Sequence, residues 1–267
     1  MSFFTFDNIH SSTFNLRIAY INAPSVRHVN TYANPEIISD RSGRRDEPYI
    51  FGRRLPDTLE FPSEIYNADG RTYDNHEIQA IQEWLFGRQH PKYLSLIEND
   101  SIGESYLCYL TNPSSVKVGN RVIVWRFTVT SVAPWGFTDV VEQTFDCSTQ
   151  SLTYIDVHNL STTPDVYLMP EMTVQLVGNT SYVSIYNLTD DEHRAFQITN
   201  LQQGDTIRVD NDKQIMSADI GDQTGNNAFR NFNMNWFRLK TGINRLRING
   251  RCVVTFKMRF RKAVGGI

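Results

Sequence analysis

The chain has 267 residues, of which 40% are hydrophobic, 12% aromatic and 21% charged. That mixture excludes a disordered polyelectrolyte and is long enough for two cored domains. The formal net charge of -3 supplies no basic excess for phosphate neutralisation, so neither nucleic acid nor an anionic membrane is an expected partner.

Residues 1–20 lack an apolar run flanked by basic residues, and nowhere do about 18 consecutive apolar residues occur. The expectation is a protein without an export leader or a membrane span, made in the cytoplasm. Phe14, Leu16, Ile18 and Tyr20 alternate with Asn15, Arg17 and Ala19, the period of a strand with one face in a core. Residues 22–54 are polar and centre on Arg41-Ser42-Gly43-Arg44-Arg45-Asp46-Glu47-Pro48. Their turn chemistry predicts a long hairpin arm or loop, either solvated or serving a partner.

A helix is predicted over residues 74–86. Asp74 is its N-cap, Glu77 completes a capping box and Gly87 stops it, while Ile78, Ile81, Trp84 and Leu85 form one apolar stripe. Residues 93–97 and 106–110 read as a hairpin around the polar turn Glu98-Asn99-Asp100-Ser101. In the strand 123–129, Ile123, Trp125, Phe127 and Val129 share one face. Pro134-Trp135-Gly136 then breaks the ladder, which places a domain boundary between residues 133 and 134.

The second half carries only short strands, at 153–157, 173–177, 182–186, 195–198, 206–209, 243–248 and 252–260. This succession predicts a mainly β chain ending in a β-sandwich. In the last strand Cys252, Val254, Phe256, Met258 and Phe260 point inward, and Asn249-Gly250 before it is the strongest short hairpin signal present.

Catalytic patterns are absent: no GxSxG elbow, HExxH helix or phosphate-binding glycine loop occurs. His10, His28, His76, His90, His158 and His193 are scattered singly, and Cys108, Cys147 and Cys252 have no CxxC spacing. No catalytic residue, metal, disulfide framework or cofactor is therefore expected. Asp205, Asp210 and Asp212 fail the EF-hand pattern and suit an Asx-turn between strands. Trp135, Tyr182, Tyr186 and Trp236 are candidates for stacking on sugar rings, with core packing the competing use of each. The sequons at Asn159, Asn179 and Asn187 matter only in a secreted eukaryotic protein.

The order of these segments resembles the phage distal tail protein family over nearly the whole chain. The resemblance rests on the opening Phe6-Asp7-Asn8-Ile9-His10-Ser11-Ser12, the capped helix ending Gln82-Glu83-Trp84-Leu85-Phe86, and Tyr106-Leu107-Cys108-Tyr109-Leu110. It continues through Phe196-Gln197-Ile198-Thr199-Asn200-Leu201 to Trp236-Phe237-Arg238-Leu239-Lys240-Thr241-Gly242-Ile243-Asn244-Arg245-Leu246.

This resemblance implies a tail-tube-like, ring-forming β-domain with one helix over residues 1–133, including the arm 22–54. Over residues 134–267 it implies a galectin-like sandwich similar to carbohydrate-binding modules. It further implies a non-enzymatic homo-hexamer at the virion's tail tip, assembled in the host cytoplasm and joining the tail tube protein to tip and receptor-binding proteins. The competing reading is a carbohydrate-binding module that adheres to the host wall.

Overall fold

The computed structural model describes residues 3–20, 36–41, 47–54, 57–97, 105–119, 121–163, 166–190, 192, 194–220, 223–224 and 229–262. The chain divides into two compact units, Met1–Thr138 with Lys262–Ile267, and Asp139–Arg261.

The first unit contains β1 (Phe3–Phe6), β2 (Ile9–His10), β3 (Leu16–Tyr20), β4 (Glu36–Asp40), β5 (Tyr49–Arg54) and β6 (Glu60–Asn67). After these come α1 (Asn75–Phe86), β7 (Lys92–Ile97), β8 (Ser105–Val118), β9 (Arg121–Ser131) and β10 (Gly136–Phe137). Its main sheet runs β2-β1-β7-β8-β9-β6-β3, with β10 added to β8, while β4 and β5 form a separate two-stranded ribbon.

The helix forms where the sequence predicts it. Glu77 N–H donates to Asp74 Oδ1 at 2.8 Å and Asp74 N–H donates to Glu77 Oε2 at 3.0 Å, which closes the capping box. At the other end Gly87 N–H donates to Glu83 O, and a Cβ at Gly87 would lie 2.7 Å from that oxygen. The stripe Ile81, Trp84 and Leu85 is buried, and Trp84 ties it to β1 by donating from Nε1 to Phe6 O at 3.0 Å. Phe4 and Phe14 stack on the same indole at 5.7 and 5.2 Å.

Two local readings of this unit are corrected by the structure. The strand expected from Phe14 starts at Leu16, because Phe14 ends a 3-10 turn and Asn15 takes a left-handed conformation with φ 52°. In β9, Trp125, Phe127 and Val129 face the core, but a register shift between Val116 and Lys117 passes over Ile123 and puts Val122 inward. Strands β7 and β8 pair as expected, whereas the turn 98–101 between them lies outside the described residues.

The second unit contains β11 (Val141–Cys147), β12 (Leu152–Asn159), β13 (Glu171–Leu176), β14 (Tyr182–Asn187), β15 (Ala195–Thr199), β16 (Thr206–Asp210), β17 (Ile215–Ile220), β18 (Gln223–Thr224), β19 (Gly242–Asn249) and β20 (Cys252–Met258). One sheet runs β11-β20-β13-β16-β17-β18 and the other β12-β19-β14-β15. Their inward residues, among them Val174, Ile185, Phe196, Ile207, Leu246 and Phe256, form one core. This is the alternation of a sandwich.

Asn249-Gly250 does not close a hairpin. It steps from β19 in one sheet to β20 in the other, with Gly250 at φ 115° and 2.7 Å from Tyr182 O to any added Cβ. A hairpin turn and a corner both call on the same positive-φ glycine.

One segment of this unit is held by buried asparagines. Asn211 accepts from Phe237 N–H at 2.7 Å, Asn187 donates to Arg238 O at 2.9 Å and Asn159 donates to Lys240 O at 3.0 Å. Asn244 both accepts from Lys240 N–H and donates to Lys240 O, at 2.9 and 2.8 Å. Residues 237–240 run outside the main ladders, so these amides satisfy backbone groups that a sheet would otherwise pair.

Candidate interaction surfaces

Among the described residues no three His, Cys, Asp or Glu side chains group to hold a metal ion. Of the aspartates weighed for calcium, Asp205 and Asp210 serve local turns. Asp205 Oδ2 accepts from Gln202 N–H at 2.7 Å, and Asp210 accepts from Lys213 N–H and Lys213 Nζ at 2.9 and 2.6 Å. Burial pushes the Asp210 carboxyl up, but hydrogen bonds and charge from Lys213 outweigh it and the net shift is downward. His10 caps the 3-10 turn through Ser12, while His76, His90 and His158 are exposed; His28 and His193 lie outside the described residues. The three cysteines are buried free thiols.

The first exposed surface is the β4–β5 ribbon. Ile37, Ile38, Tyr49, Ile50 and Phe51 are 65%, 46%, 45%, 70% and 69% exposed. Ile37 and Ile38 are successive residues of one strand, so both faces of the ribbon carry a large apolar group, and the register shift between Ile38 and Ser39 leaves Phe51 as an extra residue between Ile50 and Gly52. This falls within the arm expected over residues 22–54, of which 21–35 and 42–46 lie outside the described residues.

The second surface is the outward face of β12-β19-β14-β15. Val183, Ile185, Leu246 and Ile248 turn inward, so Tyr182, Ser184, Tyr186, Arg245, Arg247 and Asn249 turn outward. The register aligns Tyr154, Arg247, Tyr186 and Ala195 in one row across all four strands. The next row is Leu152, Asn249, Ser184 and Gln197. Arg247 lies 4.2 Å over the Tyr186 ring and Arg245 lies 5.7 Å over that of Tyr154.

The sugar-stacking candidates therefore separate. Tyr182 and Tyr186 share this face, and Tyr182 is 43% exposed. Trp236 is half-buried against Phe232, 5.0 Å between ring centroids, and Trp135 is half-buried in the other unit. Tyr154, Arg247 and Ser184 escaped the sequence reading. The signal for Tyr154 was the outward alternation Leu152, Tyr154, Asp156, His158, while the row itself depends on register.

Comparison with known structures places this fold beside phage hub and baseplate proteins. The crystal structure of Dit from phage SPP1, described as a paradigm of the hub adsorption apparatus of phages infecting Gram-positive bacteria, matches with a TM-score of 0.63 and 12% identity over 97% of this chain and 99% of that one. A chain of the phage P2 baseplate in its activated conformation with Ca matches with a TM-score of 0.56 and 10% identity, covering 97% and 98%. The fold is thus that of the distal tail hub proteins, mainly β with a single α-helix among the described residues.

Family models place the sequence itself. Residues 1–132 match the phage tail protein N-terminal domain and residues 135–258 the phage tail C-terminal domain, and the chain belongs to this phage tail protein family. An SPbeta prophage-derived uncharacterized protein of Bacillus subtilis strain 168, YomH, is 22% identical over 268 residues, 97% of each chain.

Proposed function

We propose that six copies of this chain close into a ring, the structural hub at the tip of a long non-contractile phage tail, joining the tail tube to tip and receptor-binding proteins. The observation that carries this reading is the bare β4–β5 ribbon, with Ile50 and Phe51 at 70% and 69% exposure. An isolated two-stranded ribbon is marginal in water, and closed cyclic symmetry provides every copy's ribbon with a neighbour to cover it. The likeness of the fold to a phage hub protein and to a chain of a phage baseplate supports the same role.

In this reading the first unit holds the tail-tube-like ring interface, the second unit forms a galectin-like sandwich, and the work is done by interfaces with no catalysis. The protein is assembled in the host cytoplasm and carried in the virion. The test is the mass of the full chain in solution together with negative-stain images. A hexameric ring with a central channel is expected, and Ile50→Asp with Phe51→Asp should leave monomers that keep their fold. Monomers of the unaltered chain at micromolar concentration, with no ring formed on adding tail-tube or tip proteins, would overturn the reading.

A further inference from the structure

We propose that the outward face of β12-β19-β14-β15 binds an anionic saccharide, a chain of pyranose rings bearing carboxylate or phosphate groups. The proposal is independent of ring formation and rests on three features of the face.

The row Tyr154, Arg247, Tyr186 spans three strands, roughly 10 Å at the usual strand spacing, which matches about two pyranose rings. Tyr154 is 50% exposed, and Ala195 at the end of the row adds no bulk above the sheet. Flat phenol rings stack on the apolar faces of sugars, and a sugar seated here would displace the guanidinium groups that lie over Tyr186 and Tyr154. The adjoining row offers the amides of Asn249 and Gln197 to sugar hydroxyls.

Ser184 lies between Tyr182 and Tyr186 on this outward side, is only 3% exposed, and its Oγ is buried with no hydrogen-bond partner among the described residues. A buried hydroxyl without a partner is costly in the free protein. Reaching it requires the flanking side chains to part, a movement favoured by a ligand that brings its own hydroxyl or acidic oxygen.

The charge on the face is engaged by aromatic rings and by no carboxylate among the described residues. In the same unit Arg208 pairs with Asp219 at 2.6 Å and Arg238 with Asp190 at 2.9 Å. Neither Arg245 nor Arg247 has an ion-pair partner among the described residues, although Asp156 stands opposite Arg245 in the register, and Arg247 Nε is buried without an acceptor. Guanidinium groups in this state recognise carboxylate or phosphate in preference to a neutral sugar.

The experiment is calorimetric titration of the full chain with oligogalacturonate, a phosphorylated mannan and neutral maltoheptaose. Both anionic probes should bind, more weakly as salt rises, and the tighter of the two identifies the charged group; the neutral probe should bind more weakly than either. Arg247→Gln and Tyr186→Ala should each lower affinity about tenfold or more while ring assembly is unchanged. Ser184→Ala should weaken binding yet leave the thermal midpoint of the free protein equal or higher, an outcome that a purely structural serine would not produce. Failure of all three probes to bind at millimolar concentration, or affinities indifferent to Arg247→Gln and Tyr186→Ala, would overturn the proposal. So would loss of tip-protein capture in Tyr186→Ala without any saccharide binding, which would make the face a protein-docking surface.

Discussion

Arg238 and Asp190 meet as a two-bonded fork inside the second unit, Nε to Oδ2 and Nη2 to Oδ1, both at 2.9 Å. The side chains are 14% and 2% exposed, Tyr167 lies 3.9 Å from the guanidinium, and its hydroxyl donates to Asp190 Oδ1 at 3.2 Å. Burial pushes the Asp190 carboxyl up, but hydrogen bonds and charge from Arg238 outweigh it and hold the carboxyl below its ordinary value. The hydrogen bond to Asp190 is also the main reason the Arg238 guanidinium is shifted up.

Removing one member of this pair strands the other. Arg238→Met should destabilise the unit by about 3 kcal/mol, since the buried carboxylate then loses its counter-charge and two of its donors, keeping only the Tyr167 hydroxyl and the Glu192 N–H. The folded Asp190 titrates below its unfolded value, so its contribution is complete above the unfolded value and is lost as pH falls through the folded one. Melting curves of the full chain should show a larger acid loss in the unaltered protein than in Asp190→Asn, where the depressed Asp210 still titrates. An Arg238→Met variant with an unchanged midpoint would show that the fork contributes nothing.

Ile81 is fully buried under the helix stripe. Ile81→Asp would place an unpaired carboxylate there at a cost of several kcal/mol, enough to unfold a marginal domain. The expected result is insoluble protein, or loss of the cooperative melt of the first unit, whereas Gln82→Asp on the exposed side should be soluble.

All three thiols should be inert in the native chain. Burial pushes Cys108 and Cys252 up to about 12 and raises Cys147 as well, with the Cys147 charge adding to the rise at Cys252. At pH 8 a thiol of that kind is about one part in ten thousand thiolate, the form that reacts. Ellman's reagent should therefore report almost no thiol before denaturant and three afterwards. Rapid labelling of the folded protein would mean that a core strand opens readily.

Local chemistry was the legible part of this chain. Asp74, Glu77 and Gly87 define their helix because caps act within one turn, and the alternation of Cys252, Val254, Phe256 and Met258 defines an inward face because the strand period is two. What depends on register or distant pairing was not legible. Tyr154 and Tyr186 share a row only because both pair with Arg247, and Arg238 finds Asp190 across 48 positions. The arm was visible in its turn residues, but its exposure was not, since Ile37, Ile50 and Phe51 read equally well as core.

The asparagine clamp changes the meaning of the sequons. Ser161 N–H donates to Asn159 Oδ1 at 3.1 Å and Thr189 N–H donates to Asn187 Oδ1 at 3.0 Å, so two of the Asn-x-Ser/Thr triplets are Asx-turns whose asparagines are 1% and 2% exposed. A eukaryotic secretory host attaches glycans to the same amide nitrogens that must donate to Lys240 O and Arg238 O. A sugar at Asn159 or Asn187 cannot be accommodated in the closed clamp, while one at the exposed Asn179 can. Passage through such a host would divide the product into chains bearing glycan only at Asn179, which fold, and chains modified at either clamp residue, which are held back as misfolded.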